Sequence, residues 1–380
     1  FTNIPNFIKK HNQFSFIMVG RIVSAGLQAL FYLIFAAFLE PESYGNLSYL
    51  IALAGTFSII SRFGLNHSVT VYQAKNNLSF VKSINNLALI TSLIASIILL
   101  TIDLFAAVLC FGITLYVMNI HNLLGLKKYK KYMWIEVIRG IFIISIPFPL
   151  YFIFDISGLL LGISVSYIIC SLDFFKFLSF KQNIFAEIKN NFKPLIHNFG
   201  VDFSIRAPRF IDKLIIFPIL GFTNLGIYQL NIQILFGLEI LPLALHSFLL
   251  SEESSGKKHN KINYLIISSS VVIAFMAILI SPFFINEFFQ KYSSGIPSLQ
   301  ILMIAIIPLT ISSILNAKLQ SKESTVVGYS AIVRIGRMLV LIPILGSMFD
   351  LIGLSVAVLL SIILYTISLY IIYKKSSKIV

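Results

Sequence analysis

The sequence predicts an all-α polytopic membrane protein, with about 12 transmembrane helices in two six-helix lobes around a central cavity. Its 380 residues are 57% hydrophobic and 12% charged, and the mean hydropathy is +0.90. Soluble domains carry about 25% charged residues, so this chain lacks the polar surface that would cover it in water. The composition therefore excludes a soluble protein.

Twelve apolar stretches are long enough to cross a bilayer, because a transmembrane helix needs about 20 apolar residues. Several of the polar breaks between them are very short, which predicts tight antiparallel hairpins. The spans are expected at residues 14–39, 44–62, 80–102, 104–125, 132–154, 156–178, 195–220, 224–250, 262–285, 297–317, 325–347 and 351–373.

The distribution of basic residues predicts that both termini are cytoplasmic. Of the 29 Lys and Arg, 21 fall in segments that this orientation places inside, Lys291 alone falls outside, and seven lie within spans. The outer breaks carry acids instead, such as Glu40, Asp155 and Asp350. This asymmetry follows the positive-inside rule and explains most of the net charge of +14. We expect no nucleic acid partner, and a location in the cell membrane (inner or plasma membrane).

The sequence gives little support to catalytic or metal chemistry. Cys110 and Cys170 fall inside apolar spans, where a thiol is usually a packing residue, and no ligand spacing indicates a metal site. We predict no metal, no cofactor and no catalytic residues. The start lacks the layout of a cleaved signal peptide, and because residue 1 is Phe rather than Met, we expect a few native residues before it.

Two stretches match without a gap at a shift of 195 residues: VIRGIFIISIPFPLYFIFDISGL (137–159) and IVRIGRMLVLIPILGSMFDLIGL (332–354). A second similarity, at a shift near 181, relates Tyr44-Gly45 to the region of Gly226. The matched pairs at 195 include Arg139 with Arg334, Phe154 with Phe349, Asp155 with Asp350 and Gly158 with Gly353. Halves with an even number of helices have parallel topology. We predict lobes at 1–180 and 195–380, related by a pseudo-two-fold axis and joined by a cytoplasmic linker at 181–194.

Apart from charges close to the span ends, eleven charged residues lie within the predicted spans, where each costs about 2.5–3.5 kcal/mol at the bilayer centre if it faces lipid. The bases outnumber the acids, so pairing among themselves leaves cations without a counter-charge. The set must face water, one another or a ligand. It comprises Arg21, Arg139, Arg206, Arg209, Lys213, Arg334 and Arg337, with Glu136, Asp202, Asp212 and Glu239.

The seventh span carries the densest group of charges. Four residues, spaced four, three and four apart, fall within an arc of about 60° on one helix face; they are Asp202, Arg206, Arg209 and Lys213. Asp202 can pair with Arg206 one turn away, and Pro208 predicts a bend. Because Arg can grip phosphate oxygens through two hydrogen bonds, this stripe predicts a water-filled cationic cavity for a phosphate or pyrophosphate.

The other charges divide between substrate, ion and structural roles. At the shift of 181, Arg21 falls opposite Asp202, while Glu136 with Arg139 is favoured as a structural ion pair. Glu239 is left open as a proton carrier, a sodium ligand or an ion-pair partner, and His67 is expected to have a solvated or interfacial role. The predicted substrate-binding residues are Arg21, Arg206, Arg209, Lys213, Arg334 and Arg337, and the candidates for ion coupling are Asp202, Asp212 and Glu239.

Three stretches resemble polysaccharide-export proteins of the Wzx type. FLEPESYGNLSYLIALAGTFSIISRFGLNHSV (38–69) is similar to their first hairpin, RFIDKLIIFPILGFTNLGIYQL (209–230) to their seventh helix, and LIPILGSMFDLIGLSVA (341–357) to the stretch before the last paired helices. That family belongs to the multidrug/oligosaccharidyl-lipid/polysaccharide exporter superfamily. The resemblance implies two six-helix lobes and flipping of lipid-linked oligosaccharides to the outer leaflet. It also implies cavity arginines on the pyrophosphate of a polyprenyl carrier, for which Arg21, Arg206 and Arg209 match by helix.

We therefore expect a flippase, in contact with membrane lipid, that moves a polyprenyl-pyrophosphate-linked oligosaccharide by alternating access. One alternative is a drug/cation antiporter of the same superfamily, which would need acids to dominate the cavity. Another is a membrane-embedded polysaccharide polymerase or glycosyltransferase, which usually needs a large external loop or a surface cluster of carboxylates. Coupling to a proton or sodium gradient, and association with other polysaccharide-assembly membrane proteins, are further expectations.

Overall fold

The computed structural model describes residues 4–179, 192–239, 260–320 and 326–376. These residues are almost entirely helical, because in lipid the backbone must satisfy its own hydrogen bonds. The helices are α1 (Ile4–Phe38), α2 (Pro41–Arg62), α3 (Leu65–Ala74), α4 (Leu78–Leu100), α5 (Leu104–Gly125), α6 (Tyr129–Ser145), α7 (Pro147–Cys170), α8 (Phe192–Arg206), α9 (Pro208–Leu238), α10 (Asn260–Phe288), α11 (Ile296–Ile304), α12 (Ile306–Gln320) and α13 (Val326–Ser376), with 3₁₀ turns at Leu172–Phe177 and Gln290–Gly295.

Among the described residues, eight helical stretches are long and apolar enough to cross a membrane. A ninth span results if α2 and α3, which meet at 47°, form one bent span. Breaks inside α7, α9 and α13 fall where the sequence predicts that one span ends and the next begins. Most of the predicted linker 181–194, and residues 240–250 of the eighth span, lie outside the described residues.

The same backbone break occurs in α7 and in α13, at positions related by the 195-residue shift. Phe154 (φ −130°, ψ 16°) and Asp155 (φ 51°, ψ −134°) interrupt α7. Phe349 (φ −136°, ψ 18°) and Asp350 (φ 48°, ψ −132°) interrupt α13. The positive φ of each aspartate resembles the first central residue of a type II′ turn. Matched residues thus adopt matched conformations, which confirms the predicted internal repeat.

A glycine after each break allows the chain to fold back on itself. A Cβ atom on Gly158 would lie 2.0 Å from the carbonyl oxygen of Leu150, and one on Gly353 would lie 1.8 Å from that of Leu345. Both distances are far shorter than any real carbon–oxygen contact, so only glycine fits. The two predicted hairpins, between spans five and six and between spans eleven and twelve, are therefore confirmed.

The residues group into two compact units, one made of 1–31 with 50–210 and the other of 32–49 with 211–380. The chain passes from one to the other within α1, α2 and α9. In the first unit, Leu65, Phe80 and Leu115 belong to one apolar cluster from α3, α4 and α5. In the second, Leu319 and Leu369 belong to a cluster of α12 and α13. The lobe boundaries at 180 and 195 stay a prediction.

Within the second unit, the starts of the two repeats cross each other symmetrically. A Cβ atom on Gly45 would lie 1.9 Å from the carbonyl oxygen of Phe222, and one on Gly226 would lie 1.8 Å from that of Pro41. Residues 41 and 45 correspond to 222 and 226 at the shift of 181. Each repeat thus presents the same pair of positions to the other, as a two-fold axis between the glycines requires.

We expect Gly353→Ala to lower the thermal unfolding temperature of the purified protein in detergent. The added methyl group would overlap a carbonyl oxygen, and such overpacking typically costs about 1–3 kcal/mol. Gly336→Ala in the same helix is the matched control, because a Cβ atom there meets nothing within 4 Å. Equal unfolding temperatures for the two variants would contradict the close approach.

Candidate functional site

The bend between α2 and α3 brings both helices against α8. Phe63 and Gly64 have positive φ values of 46° and 73°, which end α2 and start α3 in a new direction. A Cβ atom on Gly64 would lie 2.3 Å from the backbone nitrogen of Phe199 in α8, so glycine is required at this position. The residues on either side of the bend consequently face the same part of α8.

Asp202 of α8 is the centre of a cluster of basic and polar side chains. Its Oδ1 atom accepts hydrogen bonds from Nε of Arg206 at 2.8 Å and from Nε2 of His67 at 3.1 Å. Asn66 donates to the same oxygen at 3.4 Å, and Nη2 of Arg62 lies 3.7 Å from Oδ2. The predicted pair of Asp202 with Arg206 is thus present within a larger network. We call these five residues the Asp202 cluster.

The Asp202 cluster has more positive than negative charge. Two guanidinium groups, those of Arg62 and Arg206, share one carboxylate. The side chains of Asp202 and Arg62 are 0% and 2% exposed, whereas that of Arg206 is 42% exposed. The buried pair therefore neutralises itself, and Arg206 retains an accessible cationic surface.

The sequence does not predict that Arg62 and His67 belong to this cluster. Arg62 falls among the residues assigned to cytoplasmic segments, and His67 is expected to have a solvated or interfacial role, but Arg62 is buried and His67 bonds to Asp202. The side chain of His67 is 36% exposed, which agrees with a solvated or interfacial position; its bond to Asp202 is what the sequence does not predict. Nη1 of Arg62 also donates to the hydroxyl of Ser58, one helical turn earlier, at 2.5 Å.

The predicted stripe of charges is interrupted after Arg206. α8 ends there and α9 begins at Pro208, because proline supplies no N–H for the helical ladder; the helix is thus interrupted at this proline. Arg209 is exposed, whereas Lys213 is 5% exposed and its Nζ atom lies 3.0 Å from Oδ1 of Asp212. The residues of the stripe therefore differ in environment.

Asp212 and Lys213 form a buried pair in the second unit. Asp212 also accepts a hydrogen bond from the Tyr228 hydroxyl at 3.0 Å. Both charges are thus matched within a few ångströms. This geometry favours a structural role for Lys213. The contact of Lys213 with substrate stays a prediction.

Arg139 and Glu136 form the predicted ion pair, with Nη2 3.5 Å from Oε2. Nε of Arg139 also donates to the Tyr116 hydroxyl at 3.1 Å, Nη1 donates to that of Tyr167 at 3.3 Å, and Nη2 bonds to Ser24. The guanidinium carbon lies 5.2 Å and 5.3 Å from the centroids of the two tyrosine rings, within the range of cation–π attraction. Arg139 is fully occupied by structural partners.

Of the remaining predicted residues, Arg21 and Arg337 have other hydrogen-bond partners. Arg21 is exposed and its Nε donates to the Tyr132 hydroxyl at 3.1 Å. In the second unit, Nη2 of Arg337 donates to Ser368 at 3.0 Å, and Glu239 is half-buried at the end of α9. The side chain of Arg334 lies outside the described part of the chain. The described residues include no group of three or more His, Cys, Asp or Glu side chains that could hold a metal ion.

Solved structures of membrane transporters share this fold. The chain is similar to an inward-facing multidrug resistance MATE family transporter of the MOP superfamily, with a TM-score of 0.71, 12% identity and coverage of 95% of this chain and 98% of that one. It is also similar to the lipid II flippase MurJ in an inward closed conformation, with a TM-score of 0.74, 16% identity and coverage of 94% and 87%. A third similar structure is a MOP superfamily transporter from Pyrococcus furiosus, with a TM-score of 0.58, 14% identity and coverage of 96% and 95%; its binding pocket is described as having reverse polarity.

These similarities confirm an all-α, multi-pass membrane protein with a twelve-helix, two-lobe transporter fold. Residues 12–126 also match the family described as "Polysaccharide biosynthesis protein". This match confirms, over that part of the chain, the resemblance to polysaccharide-export proteins. A search of curated proteins finds no matching sequence.

We expect Asp202→Ala to destabilise the protein strongly, because the buried Arg62 then has no counter-charge. Removal of one partner of a buried ion pair costs about 3–5 kcal/mol. Arg206→Ala, which removes a half-exposed partner, should lower the thermal unfolding temperature much less. The double variant Arg62→Met/Asp202→Leu should recover most of the lost stability, since it removes both buried charges. Equal shifts for Asp202→Ala and Arg206→Ala would contradict the assignment of Arg62 and Asp202 as the buried core of the cluster.

Proposed function

We propose that this protein flips a polyprenyl-pyrophosphate-linked oligosaccharide from the cytoplasmic to the outer leaflet by alternating access. The observation that carries the proposal is the excess of guanidinium charge at the Asp202 cluster. A cation within a membrane span is tolerated when it faces water, a counter-charge or a bound anion. The match of residues 12–126 to a polysaccharide biosynthesis family supports a glycan as part of the cargo.

Arg206 and Arg209 are the residues that we assign to the pyrophosphate. Arg206 bonds to Asp202 through Nε, so the outer edge of the guanidinium group can donate two parallel hydrogen bonds to phosphate oxygens. Arg209 is exposed at the start of α9, next to the Pro208 break. Arg21, Arg334, Arg337 and Lys213 complete the proposed substrate set on the evidence of their positions in the sequence.

The transport step makes and breaks no covalent bond, so we assign no catalytic residue. The cavity need only lower the cost of moving the pyrophosphate and sugars across about 30 Å of hydrocarbon, while the polyprenyl tail remains in lipid. For the coupling of transport to a proton or sodium gradient we propose Glu239, with Asp202 and Asp212 as further candidates. Assembly with other polysaccharide-synthesis membrane proteins also belongs to the proposal.

A drug/cation antiporter is the second candidate, and the similarity to a multidrug resistance transporter favours it. A cationic drug requires a site in which acids dominate. At the Asp202 cluster the one carboxylate already has two guanidinium partners. The charge of the cluster therefore favours an anionic cargo.

We expect the double variant Arg206→Ala/Arg209→Ala to flip a labelled polyprenyl-pyrophosphate sugar at least about tenfold more slowly in proteoliposomes, since each lost charged hydrogen bond is worth at least a factor of ten. The Lys versions should retain part of the rate, because they keep the charge without the two-pronged geometry. Lys176→Ala is the control, since this exposed lysine pairs with Asp173, away from the cluster. Unchanged flipping in both double variants, with normal insertion, would remove the basis for an anionic cargo.

The proposed orientation, with both termini cytoplasmic, has its own test. Cys110 and Cys170 are buried free thiols, so a single added cysteine should dominate labelling by a membrane-impermeant maleimide. In intact cells Lys291→Cys should be labelled and Lys75→Cys should be labelled only after permeabilisation. The reverse pattern would invert the orientation.

A further inference from the structure

A basic groove lies where α5 ends and α6 begins, apart from the Asp202 cluster. It has a volume of about 610 Å³. Four lysines and three aromatic residues line it: Phe16, Lys127, Lys128, Tyr129, Lys130, Lys131 and Trp134. We refer to it as the lysine groove.

The charge of the lysine groove is only partly matched. Nζ of Lys131 lies 2.6 Å from Asp173, and Lys176 lies 2.5 Å from the same carboxylate. Hydrogen bonds from these two lysines lower the pKa of Asp173, so it remains ionised and offsets Lys131. Lys127, Lys128 and Lys130 are exposed and add to the positive charge.

The start of α6 adds further anion-binding groups. Lys128 occupies the N-cap position of α6, and its side chain makes no capping hydrogen bond. A lysine side chain has no acceptor atom, so it cannot bond to the backbone N–H groups of the first turn. These N–H groups and the helix dipole favour a negatively charged group at this end.

The groove opens onto two apolar helix faces. On α6, Trp134, Ile138 and Ile141 are exposed at a spacing of four and three residues, which is one face of the helix. On α1, Val19 and Val23 are exposed and follow Phe16 at the same kind of spacing. Both apolar strips therefore begin at the groove and run away from it along the membrane spans.

α1 and α6 pack closely enough for the two strips to form one surface. A Cβ atom on Gly20 of α1 would lie 3.0 Å from the Cα atom of Met133 in α6. One on Gly140 of α6 would lie 2.8 Å from Leu27 in α1. Nε of Arg21 also bonds to Tyr132 across this contact. An elongated apolar ligand can therefore lie along both helices at once.

We propose that the lysine groove is a binding site for an anionic phospholipid. Its phosphodiester would contact Lys127, Lys128 and Lys130 and the first turn of α6, and its acyl chains would lie along the exposed strips of α1 and α6. Trp134 is 51% exposed and lies at the join, where aromatic residues mark the level of the lipid head groups. The residues that line the lysine groove are not members of the proposed substrate set, and the site does not depend on the nature of the cargo.

The single tryptophan of the chain makes the site directly observable. Trp134 accounts for all tryptophan fluorescence, and bromine on the lipid chains quenches it on contact. In nanodiscs, a titration with brominated phosphatidylglycerol should quench the fluorescence of Trp134. The binding constant from this titration should be about three- to tenfold higher than that for brominated phosphatidylcholine, because a lysine near the surface contributes about a factor of five toward an anionic lipid. This preference should decrease at high salt.

Matched variants test whether the lipid preference comes from the lysines of the groove or from the overall positive charge of the protein. Lys127→Gln/Lys128→Gln/Lys130→Gln should remove the preference, and replacement of the same three lysines with Arg should preserve it. Lys75→Gln, at the exposed turn between α3 and α4, should leave it unchanged. Equal quenching by the two lipids in the native protein, or a preference that survives the triple Gln variant, would overturn the proposal.

Two competitors distinguish a phospholipid from other phosphates. Inorganic phosphate, at matched ionic strength, should not displace brominated phosphatidylglycerol, because it lacks acyl chains. Polyprenyl phosphate, at an equal mole fraction, should displace it no better than unlabelled phosphatidylglycerol does. Full displacement by inorganic phosphate, or selective displacement by polyprenyl phosphate, would assign the groove to a different ligand and overturn the proposal.

Discussion

A charge that is buried in a membrane protein needs a counter-charge. In the first unit, Asp202 and Arg62 are buried together and supply each other with this counter-charge. The pair joins the end of α2 to α8, across 140 positions of sequence. It requires the close approach of Gly64 to Phe199, which in turn requires the 47° bend between α2 and α3. The half-exposed Arg206 owes its position to the same carboxylate.

Four of the intramembrane cations fall into two groups when the exposure of their side chains is compared. Arg139 and Lys213 are enclosed by acids and hydroxyl groups that match their charge and hydrogen-bonding capacity. Arg206 and Arg209 have exposed side chains at the junction of α8 and α9. The buried cations of the first group stabilise the polar interior through their ion pairs and hydrogen bonds. The exposed cations of the second group are accessible to an anionic ligand. The sequence alone shows only one set of seven cations.

The internal repeat is expressed in backbone conformation as well as in residue identity. Identical Phe-Asp breaks in α7 and α13 turn the chain at corresponding points. At the symmetric crossing of Gly45 and Gly226, each backbone excludes any side chain on the other. Since these positions have no room for a Cβ atom, the geometry of the repeat depends on a few glycines rather than on the many interchangeable apolar residues around them.

Composition and sequence pattern are sufficient to predict the all-helical membrane class, the internal repeat, the hairpin breaks, the helix interruption at Pro208 and the local pairs Glu136–Arg139 and Asp202–Arg206. The repeat is visible as matched residues at a fixed shift, and the other features depend on composition or on residues within one or two helical turns. The contacts of Arg62, Asn66 and His67 with Asp202 become visible only in the folded chain. These contacts depend on the direction of a bend and on packing between helices distant in sequence, and hydropathy carries no information about either.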